Sequence, residues 1–505
     1  MLDEKYNFKK ISENRTSGVL LHITSLPNEF GVGSLGEESR EFIRKLNQAG
    51  QTWWQILPIG PTGYGDSPYQ SFSSYAGNLY LINLDYLKEC SLLTREEIEY
   101  VKSLYDNERV DFGKLYHERY ETLQKAYERF DTSSLTFESF CRENSFWLND
   151  YALFMTLKDI NEGRPWQEWE DKYKFRHEEA LEEFENNNFS KVNFYRFLQF
   201  QFFSQWDGLK QYAHEHGIKI VGDLPIYVAE DSCDCWANPE LFSLDENLKP
   251  VWVGGCPPDG FSDDGQLWGN PCYDWDYHEE TEYNWWVNRF KWLFGLFDCI
   301  RIDHFRGFES YWRIPAGDDT ARNGSWIQGP GMKLFSKLKD ELGELPIIAE
   351  DLGYMTKEVY QFRKDTGFPG MKILLFAFSP DASSDYLPHN IERDFVVYPS
   401  THDSDTIMGW IKDHDQAEVT FARRYLNLTD EEGLNWGMIR GAMTCVADMA
   451  IFQMQDILGF DNGTRMNYPG TASGNWTWRM KHGEFSDELI EKLRFYTHMS
   501  GRIKK

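Results

Sequence analysis

Short apolar runs that end in polar residues recur along this chain, and they limit its fold more than any other feature. Most of them are followed by residues with helical periodicity. An eighth run, at 450–454, is weaker than the other seven, which cover 19–22, 52–58, 219–223, 299–303, 346–351, 371–378 and 395–399. Eight strands that alternate with helices predict an α/β fold, a (β/α)8 TIM barrel, whose functional residues lie at the carboxyl ends of the strands.

Two connections are too long for a simple barrel, and they predict inserted subdomains. Residues 85–190, between the second and third runs, are acidic and mainly helical in pattern, and Thr94 and Glu97 have the spacing of a capping box. Residues 228–284 are rich in Gly, Pro, Asp and Trp, which predicts an irregular active-site loop insertion. We therefore predict a single catalytic barrel, 1–505, that carries both insertions.

Composition and charge exclude several classes of partner. The formal net charge of -29 disfavours nucleic acid and anionic membrane surfaces. No apolar run approaches the length of a membrane span, and residues 1–10 lack the apolar region of a secretory signal. The eight cysteines are scattered, and Cys233 and Cys235 lack the spacing of a zinc knuckle. We expect a soluble cytoplasmic protein with reduced thiols, no metal and no other cofactor.

The fourth run ends in a charged pair, Arg301 and Asp303. These residues are two apart, so on a strand both side chains point the same way. A carboxylate beside a fixed guanidinium stays ionised at neutral pH, which suits a nucleophile or an electrostatic stabiliser. A structural ion pair is the commoner explanation of such a pair when it is taken alone.

Two further carboxylates weigh against that simple explanation. Glu350 directly follows the fifth run, and Asp403 lies just past the seventh. Because the strands of a closed barrel converge at its mouth, these side chains and Asp303 can meet over one pocket. Each alone is explained equally well as a helix cap or an ion-pair partner, but three at strand ends favour catalysis.

Several long motifs, in the same order, resemble the 4-alpha-glucanotransferases, called amylomaltases or disproportionating enzymes, of the alpha-amylase clan. The resemblance runs nearly end to end and is carried by residues 65–73, 222–228, 257–271, 301–307, 349–353, 401–403, 465–471 and 474–476. One departure is Ser404, where the family usually has Asn; it affects a neighbouring hydrogen bond rather than the catalytic residues.

This resemblance implies a role for each of the three carboxylates. Asp303 looks like the nucleophile, Glu350 like the general acid/base and Asp403 like the stabiliser of the transition state. Cleavage with retention requires two carboxyl groups about 5 Å apart, one attacking and one protonating the leaving oxygen. The substrate-binding residues that the resemblance implies are Tyr69, Asp223, Arg301 and His402 around the cleaved sugar, Asp259, Gln266 and Trp268, with Phe261, in a covering loop, and Tyr64 and Asn467 as further sugar contacts.

The function that these motifs favour is transfer of alpha-1,4-glucan segments between malto-oligosaccharides, amylose or glycogen-derived dextrins. An amylase-like hydrolase with the same three carboxylates is the alternative enzyme, and a glucan-binding barrel is the alternative without catalysis. The intact set of carboxylates argues against the binding protein. Transfer differs from hydrolysis because a sugar hydroxyl must react before water does, which requires acceptor contacts and a cover over the site.

Overall fold

The strands of this protein form two sheets. The computed structural model describes residues 11, 14–63, 65–106, 108–258, 262–379, 381–471 and 473–503. The strands within these residues are β1 (Thr16–Leu20), β2 (Trp53–Gln55), β3 (Lys219–Pro225), β4 (Trp252–Cys256), β5 (Gln266–Pro271), β6 (Cys299–Asp303), β7 (Ser310–Pro315), β8 (Ser325–Gln328), β9 (Ile347–Ala349), β10 (Gly370–Ile373), β11 (Phe395–Tyr398) and β12 (Met449–Gln453).

The larger sheet is a parallel barrel. Within the described ranges, eight strands pair in the order β10-β11-β12-β1-β2-β3-β6-β9, and every neighbouring pair is parallel. Its two edges meet where the Ala349 amide donates to the Pro369 carbonyl at 2.9 Å, beside β10. The predicted (β/α)8 barrel is thus confirmed, and each of the eight apolar runs supplies one strand.

Two strand boundaries differ from the apolar runs. The run at 371–378 is a strand only as far as Ile373, because a 3-10 turn, Leu374–Phe376, takes the chain out of the sheet. The first strand begins at Thr16, before the apolar run, since it pairs with β12 from that residue onward. Pairing with a neighbouring strand, which hydrophobicity does not show, sets both limits.

Helices surround the barrel and fill the long connection between β2 and β3. The helices are α1 (Glu37–Gln48), α2 (Leu84–Glu89), α3 (Arg95–Ser103), α4 (Phe112–Glu128), α5 (Leu135–Glu143), α6 (Ser145–Ile160), α7 (Asp171–Lys174), α8 (Glu178–Asn187), α9 (Phe189–Glu215), α10 (Cys233–Ala237), α11 (Trp275–Glu280), α12 (Asn284–Leu296), α13 (Met332–Leu342), α14 (Lys357–Thr366), α15 (Ile407–Asp413), α16 (Gln416–Leu426), α17 (Leu434–Thr444), α18 (Met454–Leu458) and α19 (Asp487–Met499).

Helix α9 joins the inserted helices to the barrel. It contacts α4, α5 and α6 on one side and leads into β3, which it also contacts. Aromatic and aliphatic residues at helical spacing line its buried face, among them Phe194, Phe202 and Trp206. The capping box predicted at the start of α3 is present, with the Thr94 hydroxyl accepting from the Glu97 amide and the Glu97 carboxylate from the Thr94 amide.

The turn residues of the segment 228–284 predict an irregular loop. The structure differs in part, because this segment supplies two strands of the smaller sheet. That antiparallel sheet has the order β5-β4-β7-β8, and two of its strands come from later in the chain. The glycines that suggest a loop permit close strand contact instead: a Cβ on Gly255 would lie 2.2 Å from the Gln266 carbonyl oxygen. The pairing partner of β4 is remote in sequence, so local composition does not reveal it.

None of the helices in the described part of the chain combines the length and the apolar content needed to cross a membrane.

Arg502 holds the amino-terminal end of the barrel, opposite the end at which Asp303 lies. Its side chain is fully buried and donates to carbonyl groups that precede or begin β1 and β12, including Thr16 at 2.8 Å, Ala447 at 2.9 Å and Met443 at 2.9 Å. One guanidinium therefore satisfies several buried carbonyl groups at once, of which Met443 also accepts from Arg15 at 2.9 Å.

We expect Arg502→Leu to lower the free energy of unfolding by about 3 kcal/mol, since it leaves these buried carbonyl groups without this donor. Chemical unfolding followed by tryptophan fluorescence measures the effect. Arg494→Leu, at an exposed position on α19, is the matched control and should change little. Equal stability of the two variants would contradict this role of Arg502.

Candidate active site

Two of the three predicted catalytic carboxyl groups end neighbouring strands. Asp303 is the last residue of β6, and Glu350 directly follows β9. The strands pair in register, with Arg301 opposite Ile348, and the Glu350 amide donates to the Ile302 carbonyl at 3.1 Å. The pairing therefore places the Asp303 and Glu350 carboxyl groups side by side at the mouth of the barrel.

Arg301 connects Asp303 to a third carboxylate. Its guanidinium donates to both Asp223 oxygens, at 2.8 and 2.7 Å, and to Asp303 at 3.0 Å. Asp223 lies on β3 directly opposite Arg301 in the parallel ladder, so strand register sets this contact. The Asp223 carboxylate is fully buried, whereas the Asp303 side chain is 29% exposed and is therefore open to a ligand.

A tyrosine and a histidine extend this network across the barrel mouth. The Tyr69 hydroxyl donates to Asp223 at 2.8 Å, so it accepts from His402 Nε2, also at 2.8 Å. Nε2 therefore carries a hydrogen, and it lies 3.2 Å from Asp403. The two rings are nearly parallel, with centroids 5.7 Å apart, and Trp476 packs against both. The network joins Asp303 to Asp403.

Asp403 is held by residues from the far end of the chain. Asn467 donates to its carboxylate at 2.7 Å, and Arg465 donates to its carbonyl group at 3.0 Å and to Asp405 at 2.5 Å. Ser404, the departure from the family pattern, accepts from the Thr401 amide at 2.9 Å and so closes the turn locally. Even so, the Asp403 side chain remains 40% exposed to an incoming ligand.

A buried carboxyl group, Asp456, anchors both ends of the turn that carries Asp403. It accepts from the Ile407 amide at 2.7 Å and from the Ser400 hydroxyl. Burial raises its pKa to about 7 despite these hydrogen bonds. Asp456, Arg465 and Trp476 are absent from the predicted set of site residues, although the last two lie in motifs that carry the resemblance.

The three carboxyl groups at the mouth have different pKa values. Burial, opposed by Arg301 and reinforced by Asp303, raises the pKa of Glu350 well above its usual range. Burial also raises the pKa of Asp303 to about 6, against the opposing effect of Arg301. Burial would raise the pKa of Asp403 as well, but His402 and Asn467 outweigh it and hold that pKa well below its usual value.

The sequence predicts that Arg301 keeps Asp303 ionised at neutral pH, and a pKa of about 6 agrees with that prediction. Arg301 does favour the ionised form, but desolvation and the negative charge of Asp223 outweigh it, so Asp303 is ionised only above about pH 6. The raised pKa of Glu350 thus favours its protonated form, while Asp303 is ionised above about pH 6, as acid and nucleophile chemistry requires.

The covering loop is only partly described. Trp268 contacts the His304 ring edge-on at a centroid distance of 4.8 Å, and its indole N–H donates to Gln266 at 3.1 Å. The His304 amide in turn donates to the Glu350 carboxylate. Trp268 therefore lies beside the predicted acid/base, while Tyr64, Asp259 and Phe261 are outside the described residues.

Comparison with known proteins gives a match over almost the whole chain. A family profile described as 4-alpha-glucanotransferase matches residues 21–485. A 4-alpha-glucanotransferase of Clostridium butyricum is 49% identical over 488 residues, which are 96% of this chain and 100% of that protein. One of Thermus thermophilus is 45% identical, covering 97% of this chain and 98% of that protein.

The fold has a similarly extensive match. An amylomaltase from Streptococcus agalactiae, solved in complex with acarbose, superposes with a TM-score of 0.94 at 39% identity, covering 97% of this chain and 100% of that one.

We expect kcat/KM for maltotriose to depend on pH as a bell-shaped curve. Activity is lost as pH falls through about 6, because Asp303 takes up a proton, and is lost at higher pH as Glu350 gives up its own. Asp223→Asn removes a charge that raises the Asp303 pKa, so the acid midpoint of its residual activity should lie below 6. Asp298→Asn, at the other end of β6, is the control. An unmoved midpoint in Asp223→Asn would assign the acid limb to another group.

Proposed function

Because the chain belongs to the 4-alpha-glucanotransferase family, we propose that it transfers alpha-1,4-glucan segments between malto-oligosaccharides through a covalent glucosyl-enzyme intermediate. The observation that carries this proposal is the pair Asp303 and Glu350, adjacent at the barrel mouth, where the pKa of Glu350 is raised well above its usual range and that of Asp303 to about 6. Paired carboxyl groups with separated pKa values are what retaining cleavage of a glycosidic bond needs.

In the first step the Asp303 carboxylate attacks the anomeric carbon while the bond to the leaving oxygen breaks. Glu350 gives its proton to that oxygen, and the sugar becomes an ester of Asp303. Arg301 holds the nucleophile in place through a hydrogen bond of 3.0 Å, and it is itself fixed by two bonds to Asp223. The proton thus leaves Glu350 as the ester forms.

In the second step the 4-hydroxyl group of an acceptor sugar attacks the anomeric carbon of the glucosyl ester, and the bond from that carbon to Asp303 breaks. The ionised Glu350 now takes the proton of that hydroxyl, and the Asp303 carboxylate leaves. Acid and base roles alternate on one residue, which is restored to its starting state. The backbone amide of His304 fixes the Glu350 carboxyl group in both steps.

Asp403 stabilises the positive charge that develops on the sugar in the transition state of each step. Its low pKa keeps it ionised throughout, as a stabiliser of an oxocarbenium-like state must be. His402 and Asn467 orient it, and the exposed part of its side chain contacts ring hydroxyl groups. Tyr69, stacked on His402, offers its free face to the same sugar.

Transfer rather than hydrolysis is supported by the position of Trp268. Its ring packs against His304, whose amide binds Glu350, and Gln266 holds it there, on the side from which we propose that the acceptor approaches. An apolar wall disfavours water, while an aromatic face binds an acceptor sugar. In this proposal Asp259 and Tyr64 also contact sugar, by resemblance alone.

The proposal includes the partners and the location of the protein. The substrates are malto-oligosaccharides, amylose or glycogen-derived dextrins, and nucleic acid is excluded on the net charge of -29. A cytoplasmic location is supported by the eight cysteines, all of which are free thiols.

With maltotriose as the sole substrate, we expect glucose and a ladder of longer maltodextrins, with almost no increase in total reducing ends. Chromatography combined with a reducing-end assay measures both. Trp268→Ala should raise the ratio of hydrolysis to transfer, because it opens the wall to water and removes an acceptor contact. Leu267→Ala, which changes an exposed side chain on the same strand, is the control. If the wild type releases reducing ends as fast as it breaks bonds, the protein is a hydrolase.

The two carboxyl roles are separable with an activated donor, alpha-glucosyl fluoride. We expect Glu350→Gln to lose about 10²- to 10⁴-fold in turnover of maltotriose but less in the first step with the fluoride, which leaves with little protonic help. Without a base for the second step, an ester of glucose on Asp303 should accumulate, and mass spectrometry of a peptide digest detects it.

Asp303→Asn should turn over neither donor while keeping its fold, and the variant that combines both changes should form no ester. Equal losses on both donors in Glu350→Gln would contradict the acid/base role. An ester on another residue would contradict the nucleophile.

A further inference from the structure

A pair of aromatic rings, one exposed and one half-buried, follows Glu350 closely along the chain or packs against residues that do, and it has no part in the chemistry described above. Tyr354 follows Glu350 by four residues, and at 64% exposure it is the most exposed aromatic side chain among the described residues. Its ring is nearly parallel to that of Trp326 on β8, with centroids 6.2 Å apart and planes at 22°. The two rings form what we call the Trp326–Tyr354 shelf.

Neighbouring side chains hold the two rings of the shelf in place. Arg306, only 3% exposed, places its guanidinium carbon 3.8 Å from the centre of the Trp326 ring and donates to the Tyr354 carbonyl. It also donates to Ser310 at 3.0 Å, which fixes its orientation. Trp312, opposite Trp326 in the β7–β8 ladder, packs edge-on against it at 5.3 Å. Such support holds both rings in place while Tyr354 remains open to solvent.

The shelf is also continuous with the catalytic centre. Arg306 belongs to the 3-10 turn Phe305–Phe308, directly after His304, whose amide binds Glu350. Tyr354 is joined to Glu350 by at most about 14 Å of chain. The shelf is thus connected to the acid/base along two short segments of chain, one from His304 to Arg306 and one from Glu350 to Tyr354.

The side of the site on which the shelf lies determines what it binds. Glu350 contacts the oxygen shared by the cleaved sugar and the sugar on its leaving side, whereas Asp403, His402 and Tyr69 surround the cleaved sugar. A surface beyond Glu350 therefore faces the leaving chain, and the acceptor that replaces it. Exposed aromatic rings bind the apolar faces of sugar rings, so the shelf suits a neutral carbohydrate ligand.

We infer that the Trp326–Tyr354 shelf binds the acceptor chain at sugars beyond the one that reacts, so that it sets a preference for longer acceptors. This inference rests on the proposed transferase function. A single glucose reaches only the position next to Glu350, whereas maltotriose extends over the shelf.

The test uses alpha-glucosyl fluoride as donor, because its leaving group makes no contact with the shelf. Glucose and maltotriose are compared as acceptors, and the KM of each is measured by transfer product. We expect Tyr354→Ala to raise the KM for maltotriose about tenfold and to change the KM for glucose by less than about twofold. Trp326→Ala should act in the same direction.

Three further variants make the result specific. Tyr354→Phe and Tyr354→Trp keep an aromatic ring and should keep the wild-type KM for maltotriose. If the hydroxyl group of Tyr354 made the contact, both variants would raise that KM. Tyr100→Ala, a tyrosine 57% exposed on α3, is the matched control and should behave as wild type. These variants keep the test decisive even where Trp326→Ala fails to fold.

Two outcomes overturn the inference without affecting the proposed function. They are an unchanged KM for maltotriose in Tyr354→Ala, and an equal rise for both acceptors, which would indicate a disturbed Glu350. If the wild type forms no transfer product with any acceptor, the transferase function fails, and the inference fails with it.

Discussion

The guanidinium of Arg301 is the interaction on which the site depends. Among the described residues it is the only lysine or arginine that forms an ion pair with Asp223, Asp303, Glu350 or Asp403. Its place between two carboxylates follows from the parallel register of β3 and β6, so the backbone ladder, rather than a flexible side chain, determines where the nucleophile lies. A buried pair of this kind is a weak source of stability but a strong constraint on geometry.

A single fixed cation among four carboxyl groups has a consequence for their protonation. One guanidinium does not offset four negative charges in a partly desolvated mouth, so the ionised form of one carboxyl group is strongly disfavoured. That group is Glu350, which lacks an ion-pair partner and accepts only a backbone amide. Burial, reinforced by charge repulsion within the site, thus favours a protonated Glu350 beside an ionised Asp303, although the two side chains are chemically similar.

Much of the architecture is predictable because it depends on patterns among residues that are neighbours in the sequence. Each barrel strand is an apolar run, and the catalytic carboxylates directly follow such runs, so the order of elements and the end of the barrel that holds the site can both be inferred. The smaller sheet is not predictable in this way, since β4 pairs with β7 across 53 or more residues. Nor is Asp456, whose partners Ser400 and Ile407 precede it by about fifty residues and leave no local pattern.

The sequence by itself determined the barrel and predicted that three carboxylates meet at the carboxyl ends of its strands, because hydrophobic periodicity and strand ends are properties of neighbouring residues. Only the tertiary structure decided their charge states, since desolvation depends on everything that surrounds a group. It showed that burial raises the pKa of Asp303 despite Arg301, and that Tyr69 and His402 connect the two sides of the mouth. It also brought Trp326 and Tyr354 together, because a contact between rings on separate elements arises only when the chain is folded.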